Sequence, residues 1–344
     1  MTTDSSVDER LARSKAFDFR TIHPNVRFGT ASDRYAGWIG QIYGQQWSEK
    51  TTNRTKKLGT RSFRESLVPT ESVHEYFQHY SVLELDFTFY RPLVQSGGAP
   101  LSNYRVLERY LEHSPPDASF LVKAPQIYCS PYIPGIGDNS SYLDAQAYLR
   151  SFHEPLVALL GDQLAGILFE QGYQPVKETP PEAIFVERLD HFFDQVGPGP
   201  QVHLEVRSPH LLSPLYFDWL ETKGLGHVYS HWTWLPSIKS QWQKCGRFTA
   251  ANATAVVRLL TPRRMKYADA YVLAHPFDRA VPELSSTRSA REMVDETVAL
   301  AFKAIEASVT VDVIANNRAW GNAPALSVEL AGRLLEFERR SRQD

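Results

Sequence analysis

Eight short apolar segments recur along the chain, and most of them end on a polar or charged residue. Each segment has the length of a β-strand, and stretches long enough for helices separate them. The segments are residues 26–30, 82–89, 120–125, 165–171, 202–207, 228–232, 255–260 and 311–317. This alternation predicts an α/β fold of one domain, a TIM-type (β/α)8 barrel with eight parallel strands inside and helices outside.

The segments between the predicted strands show apolar residues at helical spacing. In residues 147–163, Leu149, Phe152 and Leu156 fall on one face, and Gly161 marks the predicted end of that helix. The length of 344 residues fits one domain, because single barrels of this type can exceed roughly 250 residues. We expect residues 1–22 to be a flexible N-terminal tail and residues 23–340 to form the barrel domain.

Composition is that of an ordinary globular protein, with 42% hydrophobic and 22% charged residues. The two cysteines, Cys129 and Cys245, support neither a disulfide framework nor a cysteine-rich zinc site. The first twenty residues are polar, and no run of about 18 apolar residues occurs. We therefore expect a cytoplasmic protein without a secretory signal or a membrane span.

A net charge of −2 gives the whole chain no general attraction for nucleic acid, so any such binding needs a local basic patch. Residues 50–65 carry six basic residues against one acid, and residues 261–267 add three basic residues. Both segments follow predicted strands. They are therefore predicted βα loops at the carboxyl end of the barrel, where such barrels place their active sites.

Strand alternation predicts which side chains face the interior of the barrel. In residues 82–89 the inward set is Glu84, Asp86 and Thr88, and in residues 202–207 it includes His203, Glu205 and Arg207. A buried carboxylate needs a partner, and we expect Arg27 on the neighbouring strand to pair with Glu84 as a structural ion pair.

Charged residues near the strand ends are the candidates for chemistry. The predicted catalytic residues are Lys123, Glu170, Glu205 and Asp86. A carboxylate among cations stays ionised, which suits an orienting or base role, and the cations can hold a phosphate or carboxylate group. The predicted substrate-binding residues are Thr88, Tyr90, Arg207, Arg258, Asn316, Asn317, Trp38 and Trp232.

Aromatic residues crowd the same predicted loops and offer surfaces on which a base or sugar can stack, although packing of loops onto the barrel is their commoner role. They are Tyr35, Trp38, Tyr43, Trp47, Tyr90, Trp232 and Trp234. No HExxH spacing, phosphate-binding glycine loop or nucleophile elbow occurs. The sequence therefore assigns no metal ligand, no cofactor and no oligomeric state.

At these strand ends the chain resembles the YecE-like family, domain-of-unknown-function family 72. The matching stretches are residues 29–44, 83–92, 120–125, 203–210, 256–260 and 315–325. The resemblance covers residues 26–335 and implies a TIM-type barrel, a fold likened to endonuclease IV and to xylose isomerase-like barrels. It implies no established activity. The family's signature residues correspond to Glu84, Thr88, Phe89, Tyr90, Lys123, Glu205, Arg207, Arg258, Asn316, Asn317 and Gly321.

Several positions depart from the family pattern. The chain has Asp86 where the family has Asn and Glu170 where it has Gln. A second group of departures removes two histidines, a Gly-Trp pair and a Pro-Pro pair; it consists of Ser32-Asp33, Gly172-Tyr173, Ser208 and Leu260-Thr261. The loss of two histidines makes a metal-dependent nuclease a weaker expectation. The pattern is typical of a divergent member with a changed ligand.

Four functions are compatible with these residues. The first hypothesis is an enzyme or ligand-binding barrel for a small anionic, phosphate-bearing substrate, based on the cations at the strand ends. The second is a nucleic-acid-binding or processing protein, based on residues 50–65 and the aromatic residues. The third is a glycoside hydrolase that uses Glu170 and Glu205 as a carboxylate pair, and the fourth is a non-catalytic scaffold.

Overall fold

The computed structural model describes residues 6–341, in which eight of twelve strands close into a parallel barrel. Around the barrel the order is β1, β12, β11, β10, β9, β8, β5 and β4. The strands are β1 (Val26–Ala31), β2 (Thr52–Leu58), β3 (Arg61–Leu67), β4 (Val82–Leu85), β5 (Ser119–Lys123), β6 (Tyr132–Ile133), β7 (Gly137–Asp138), β8 (Leu164–Gln171), β9 (Val202–Val206), β10 (Gly226–His231), β11 (Thr254–Leu259) and β12 (Thr310–Ala315). The predicted eight-stranded α/β barrel is confirmed.

Helices alternate with the barrel strands and cover the outside of the barrel. They are α1 (Val7–Lys15), α2 (Val73–His79), α3 (Ser102–His113), α4 (Gln126–Cys129), α5 (Ala145–Tyr148), α6 (Glu154–Leu160), α7 (Glu182–Val196), α8 (Pro214–Lys223), α9 (Ile238–Cys245), α10 (Tyr267–Ala274), α11 (Pro282–Ser285), α12 (Arg288–Glu306), α13 (Asn317–Trp320) and α14 (Ala323–Ser341). No helix within residues 6–341 is long and apolar enough to cross a membrane.

The core has two layers, because successive strand residues point to opposite faces. Inside the barrel, small and branched residues from seven strands pack together; they are Ala31, Val82, Leu121, Leu168, Val228, Val256 and Ile314. Outside it, Leu83 and Leu85 of β4 pack with the helices in the larger core. The alternation predicted for residues 82–89 therefore holds only as far as β4 extends, to Leu85.

Closure of the barrel depends on a glycine in β1. Gly29 pairs with Val82 of β4, and a Cβ atom at position 29 would overlap the Val82 carbonyl oxygen. Only glycine therefore lets β1 approach β4 this closely at this position. The contact joins the first two barrel strands and completes the ring.

The N-terminal segment differs from the predicted flexible tail over residues 1–22. Residues 1–5 lie outside the described part, but Val7–Lys15 forms helix α1 with a capping box between Ser6 and Glu9. Arg10 is 7% exposed; it donates to the carbonyl of Ile22 at 2.8 Å and pairs with Glu338 at 2.7 Å. These bonds attach α1 to α14 and to the barrel.

The predicted basic loop over residues 50–65 forms most of an antiparallel hairpin, β2 and β3. Gly59, with φ of +59°, lies in its two-residue turn. Leu58 and Phe63 of the hairpin pack on a small apolar cluster that includes Tyr271 and Phe277. The hairpin therefore stands beside the carboxyl end of the barrel and is joined to α10 by apolar contacts.

Candidate functional site

A cavity of about 430 Å³ opens at the carboxyl ends of the barrel strands. We call it the mouth cavity. Eight of the residues predicted as catalytic or substrate-binding line it: Asp86, Tyr90, Lys123, Glu170, Arg207, Trp232, Arg258 and Asn316. Its position agrees with the rule that TIM barrels build their sites from strand ends and βα loops.

Arg258 of β11 is the centre of a buried ionic network under the mouth cavity. Its Nε and Nη2 atoms bind the two carboxylate oxygens of Glu84 at 2.8 and 2.5 Å. Its Nη1 atom binds Glu205 and lies 3.5 Å from Glu170. The Arg27–Glu84 pair that the sequence predicts is wrong, because Arg27 instead binds Asp312 with distances of 2.6 and 2.8 Å.

Glu170 at the end of β8 completes the network. Its Oε2 atom lies 2.6 Å from Lys123 Nζ, 2.7 Å from Arg207 Nη2 and 3.5 Å from Arg258 Nη1. Burial favours the protonated form, but the charges of Arg207, Lys123 and Arg258 outweigh it and hold the pKa of Glu170 well below its usual range. Glu170 is therefore an ionised, orienting group at neutral pH rather than a proton donor.

The other charges of the network respond to the same balance of burial and pairing. Burial raises the pKa of Glu84, and the nearby charge of Arg258 limits the rise. For Arg258 the charges of Glu205 and Glu84 outweigh burial and raise its pKa. Three carboxylates and three cations thus neutralise one another, as buried ions must. The network consists of Glu84, Lys123, Glu170, Glu205, Arg207 and Arg258.

Glu84 lies nearer the mouth than expected, because the strand predicted over residues 82–89 ends at Leu85. Residues Phe87–Tyr90 form a 3₁₀ turn, which takes the chain across the strand ends. Glu84 consequently lines the mouth cavity. Asp86, just after the strand, accepts a hydrogen bond from the Ser32 hydroxyl at 2.8 Å.

Four predicted site residues do not line the mouth cavity. Glu205, predicted as catalytic, has no exposed surface and accepts a bond from the Ser230 hydroxyl at 2.5 Å. Thr88 is also buried, and its hydroxyl donates to the Lys123 carbonyl at 2.7 Å. Both residues support the site from below.

Trp38 and Asn317 are the other two residues that lie outside the lining. The indole Nε1 of Trp38 donates to Asn317 Oδ1 at 3.2 Å, and the Ala323 amide donates to the same oxygen at 2.8 Å. These bonds fix the start of α14 against the loop after β1. Their role is to hold the frame of the mouth, because neither side chain reaches the cavity.

Aromatic rings stand beside the cations of the mouth cavity. Lys123 Nζ lies 3.8 Å from the centre of the Phe89 ring, and the Arg207 guanidinium lies 4.8 Å from the Trp232 ring. Tyr90 at the rim is 76% exposed. Of the other predicted aromatic residues, Tyr35 lines the cavity, Trp38, Tyr43 and Trp47 are buried, and Trp234 is half exposed beside a separate hollow.

Sequence reasoning missed several residues of the mouth cavity. The missed polar and charged residues are Ser32, Asp33, Arg34, Arg54, Lys56, Asn103, Tyr110, Tyr267 and Arg318. Arg54 and Lys56 belong to the basic segment of residues 50–65, which was a sequence signal for cations near the mouth cavity. No sequence signal pointed to the contact between Asp33 and Tyr110, because these residues are far apart in sequence.

The second basic segment, residues 261–267, contributes no cation to the mouth cavity. Arg263 and Arg264 line a separate hollow next to Trp234, whereas Tyr267 faces the mouth cavity. The Arg318 guanidinium lies 4.3 Å from the Tyr267 ring. Within residues 6–341, no group of three or more His, Cys, Asp and Glu side chains is arranged to hold a metal ion.

Comparison with known proteins agrees with this barrel. Two solved structures of DUF72 family proteins resemble it. One is from Enterococcus faecalis V583, with 14% identity, a TM-score of 0.54, and coverage of 90% of this chain and 95% of that chain. The other is from Thermotoga maritima MSB8, with 16% identity, a TM-score of 0.52, and coverage of 90% and 99%. At these identities the likeness shows the fold alone.

The family itself is shown by sequence. No curated protein matches the chain. A family model described as "Protein of unknown function DUF72" matches residues 27–343, which is most of the chain. The YecE-like family of the sequence analysis is this same family, so that prediction is confirmed. The chain therefore belongs to the DUF72 family.

Proposed function

We propose that this barrel binds a small anionic, phosphate-bearing molecule in the mouth cavity, as an enzyme or as a ligand-binding barrel. Seven basic side chains line the cavity: Arg34, Arg54, Lys56, Lys123, Arg207, Arg258 and Arg318. Four acidic side chains line it: Asp33, Glu84, Asp86 and Glu170. Two more acids, Glu65 and Glu205, lie behind the lining and pair with Arg54, Lys56 and Arg258, so one positive charge remains in excess. A positive charge in a partly enclosed space favours an anionic ligand.

Arg318 carries the proposal, because its charge is not used within the described chain. No carboxylate of residues 6–341 lies within 4 Å of its guanidinium. Its Nε atom is buried and has no hydrogen-bond partner there. Since that atom is enclosed by protein, the amino groups of this partly exposed side chain are the donors that a ligand oxyanion could meet. A cation–π contact with Tyr267, at 4.3 Å from the ring centre, holds the guanidinium at the cavity wall.

Arg207 supports the same conclusion from the opposite wall. One of its amino groups binds Glu170, yet its Nε atom is buried and lacks a partner. Because that Nε is enclosed by protein, the other amino group of Arg207 is the donor that remains for an anion. Together, Arg207 and Arg318 offer donors to one anionic group, while Trp232, Tyr90 and Tyr267 offer apolar surface for the rest of a ligand.

Titration calorimetry with inorganic phosphate at pH 7 and low salt tests the proposal. We expect saturable binding that Arg318→Ala weakens about tenfold or more, because a charge-assisted bond contributes roughly 1.5–3 kcal/mol. Arg318→Lys should restore only part of the affinity, since lysine keeps the charge but loses the planar fork. Arg288→Ala is the matched control, because that side chain is 88% exposed on α12.

Absence of phosphate binding in the wild type would contradict the proposal and would favour a scaffold role. Equal affinity in Arg318→Ala would move the binding site away from the mouth cavity. Either result is separable from misfolding by comparing the melting temperatures of the variant and the Arg288→Ala control.

A nucleic-acid ligand is the second candidate, and the β2–β3 hairpin favours it. Lys57, Arg61 and Arg64 are exposed on the hairpin and have no carboxylate partner within 4 Å among the described residues. Binding of labelled single- and double-stranded oligonucleotides should then weaken steeply with salt. Replacing the three residues with alanine should flatten the salt dependence. No binding by the wild type at low salt would exclude this candidate.

The glycoside hydrolase hypothesis receives less support. Such enzymes need a carboxyl group that holds a proton to donate to the leaving group. Glu170 is ionised by its three cations, and Glu205 is buried beneath the cavity and bound to Arg258. The pair is therefore better suited to positioning Arg207 and Arg258 than to proton transfer.

A further inference from the structure

One carboxyl group of the mouth cavity stands apart from the ionic network. Asp33, just after β1, lines the cavity and is 2% exposed. Its Oδ1 atom accepts a hydrogen bond from the Tyr110 hydroxyl at 2.6 Å. Its Oδ2 atom is buried and has no hydrogen-bond partner within residues 6–341. No cation of the described chain lies within 4 Å of either oxygen.

This environment is the reverse of the one around Glu170. Three cations contact Glu170, whereas among residues 6–341 a neutral phenol is the only side chain that hydrogen-bonds the carboxyl of Asp33. Burial without a cation disfavours the carboxylate and raises the pKa of Asp33 to about 6. The Tyr110 hydrogen bond and the charge of Arg34 limit the rise, and Asp86 adds to it.

Three tyrosines lie close to Asp33, and none of them titrates near pH 6. The Tyr43 hydroxyl donates to the Asp33 backbone carbonyl at 2.9 Å, and Tyr76 of α2 stands close by. Burial raises the pKa of Tyr43, Tyr76 and Tyr110 well above the ordinary value for tyrosine. Apart from these tyrosines, the groups whose charge acts on Asp33 are Arg34 and Asp86.

We propose that Asp33 is the proton-exchanging residue of the mouth cavity, which takes up a proton when an anion binds there. This inference rests on the proposed function. An anion placed beside a carboxylate disfavours its charged form, so binding draws a proton onto Asp33. A phosphate monoester has a second pKa near 6, which matches a carboxyl group titrating in that range.

Titration calorimetry with sulfate at pH 6.5 tests this inference. Sulfate is the probe because its own charge does not change at this pH. Repeating the titration in two buffers of different ionisation enthalpy gives the number of protons taken up per bound sulfate. We expect the wild type to take up roughly half a proton or more. Asp33→Asn should bind sulfate with no proton uptake, because asparagine cannot ionise.

The choice of variant separates a chemical role from a structural one. Asparagine keeps the oxygen that accepts the Tyr110 hydroxyl, so a purely structural Asp33 would leave proton uptake unchanged in Asp33→Asn. Unchanged uptake would overturn the inference while leaving the anion site intact. No sulfate binding by the wild type would instead contradict the proposed function itself.

A second variant keeps the carboxyl group in place. Tyr110→Phe removes the hydrogen bond that lowers the pKa of Asp33, so proton uptake should extend to higher pH. If proton uptake in Tyr110→Phe depended on pH just as it does in the wild type, the inference would be contradicted. This test remains available even if Asp33→Asn fails to fold. The matched control is Tyr132→Phe, because that tyrosine is 56% exposed on β6.

Discussion

Arg258 binds both carboxylate oxygens of Glu84 across the interior of the barrel, at 2.8 and 2.5 Å. Their strands, β11 and β4, are not neighbours, because β12 and β1 lie between them in the ring. The pair therefore crosses the lumen at the floor of the mouth cavity, which both residues line. It closes the apolar interior with a charged layer on which the cavity rests.

Loss of Arg258 should strongly destabilise the protein. Arg258→Met leaves the carboxylates of Glu84 and Glu205 buried without their main partner. Removal of one member of a buried ion pair costs roughly 3–5 kcal/mol, and we expect that loss in the free energy of unfolding measured with urea. Arg288→Met on the surface should stay within about 0.5 kcal/mol of the wild type. A loss below about 1 kcal/mol for Arg258→Met would contradict the network.

Glu170 should stabilise the fold at neutral pH and lose that effect in acid. Its pKa is lowered in the folded state, so its contribution is complete above the unfolded value of about 4.3 and declines as the pH falls below that value. We expect Glu170→Gln to be less stable at pH 7 by about 2–4 kcal/mol, with the gap narrowing towards pH 3. Urea unfolding across this range measures it. A stability difference between Glu170→Gln and the wild type that stayed constant with pH would argue against an ionised Glu170.

The contribution of Asp33 to the free energy of unfolding should change with pH in the direction opposite to that of Glu170. Its pKa of about 6 in the folded state exceeds the unfolded value of about 3.9. The protonated form therefore stabilises the fold fully below about pH 3.9, and this contribution is lost as the pH rises through 6. Relative to the wild type, Asp33→Asn should gain up to about 3 kcal/mol between pH 4 and pH 8. A flat difference would show that Asp33 does not titrate in this interval.

Glu65 should hold the β2–β3 hairpin at the rim of the mouth cavity. It is 4% exposed and binds Arg54 Nε and the Tyr271 hydroxyl, each at 2.5 Å. Tyr271→Phe removes a bond to a charged acceptor, which is typically worth about 1.5–3 kcal/mol. Trypsin should then cut the hairpin about tenfold faster at Lys57 and Arg61, because cleavage follows local opening.

The exposed tyrosine again gives the control for this hairpin experiment. Tyr132→Phe should leave the rate of trypsin cleavage in the hairpin unchanged. If Tyr271→Phe were cut no faster than this control, the apolar contacts of Leu58 and Phe63 would be sufficient to hold the hairpin.

The barrel could be predicted because each strand is an apolar run of the right length between helix-compatible segments. The end of β4 could not, because Phe87 and Phe89 continue the alternation although the chain turns there. The capping box of α1 had a sequence signal, Ser6 followed by Glu9, which the prediction of a flexible tail passed over. Polarity alone was a poor guide to order in that segment.

Strand-end reasoning predicted three of the seven cations that line the mouth cavity, Lys123, Arg207 and Arg258, because strand ends converge wherever the barrel closes. It could not find Asp33, since a carboxyl and a phenol that are 77 residues apart meet only after folding. It also could not separate Glu205, which lies below the cavity, from Glu170, which lines it. The ends of adjacent strands look alike in sequence, but their side chains lie at different depths in the folded barrel.

The most direct measurement of the central claim is a crystal structure of the protein with tungstate, a heavy phosphate analogue whose position anomalous scattering reveals. We predict one tungstate in the mouth cavity, within hydrogen-bond distance of the guanidinium groups of Arg207 and Arg318, and its loss in crystals of Arg318→Ala. Tungstate bound only outside the cavity, or retained there without Arg318, would contradict the account.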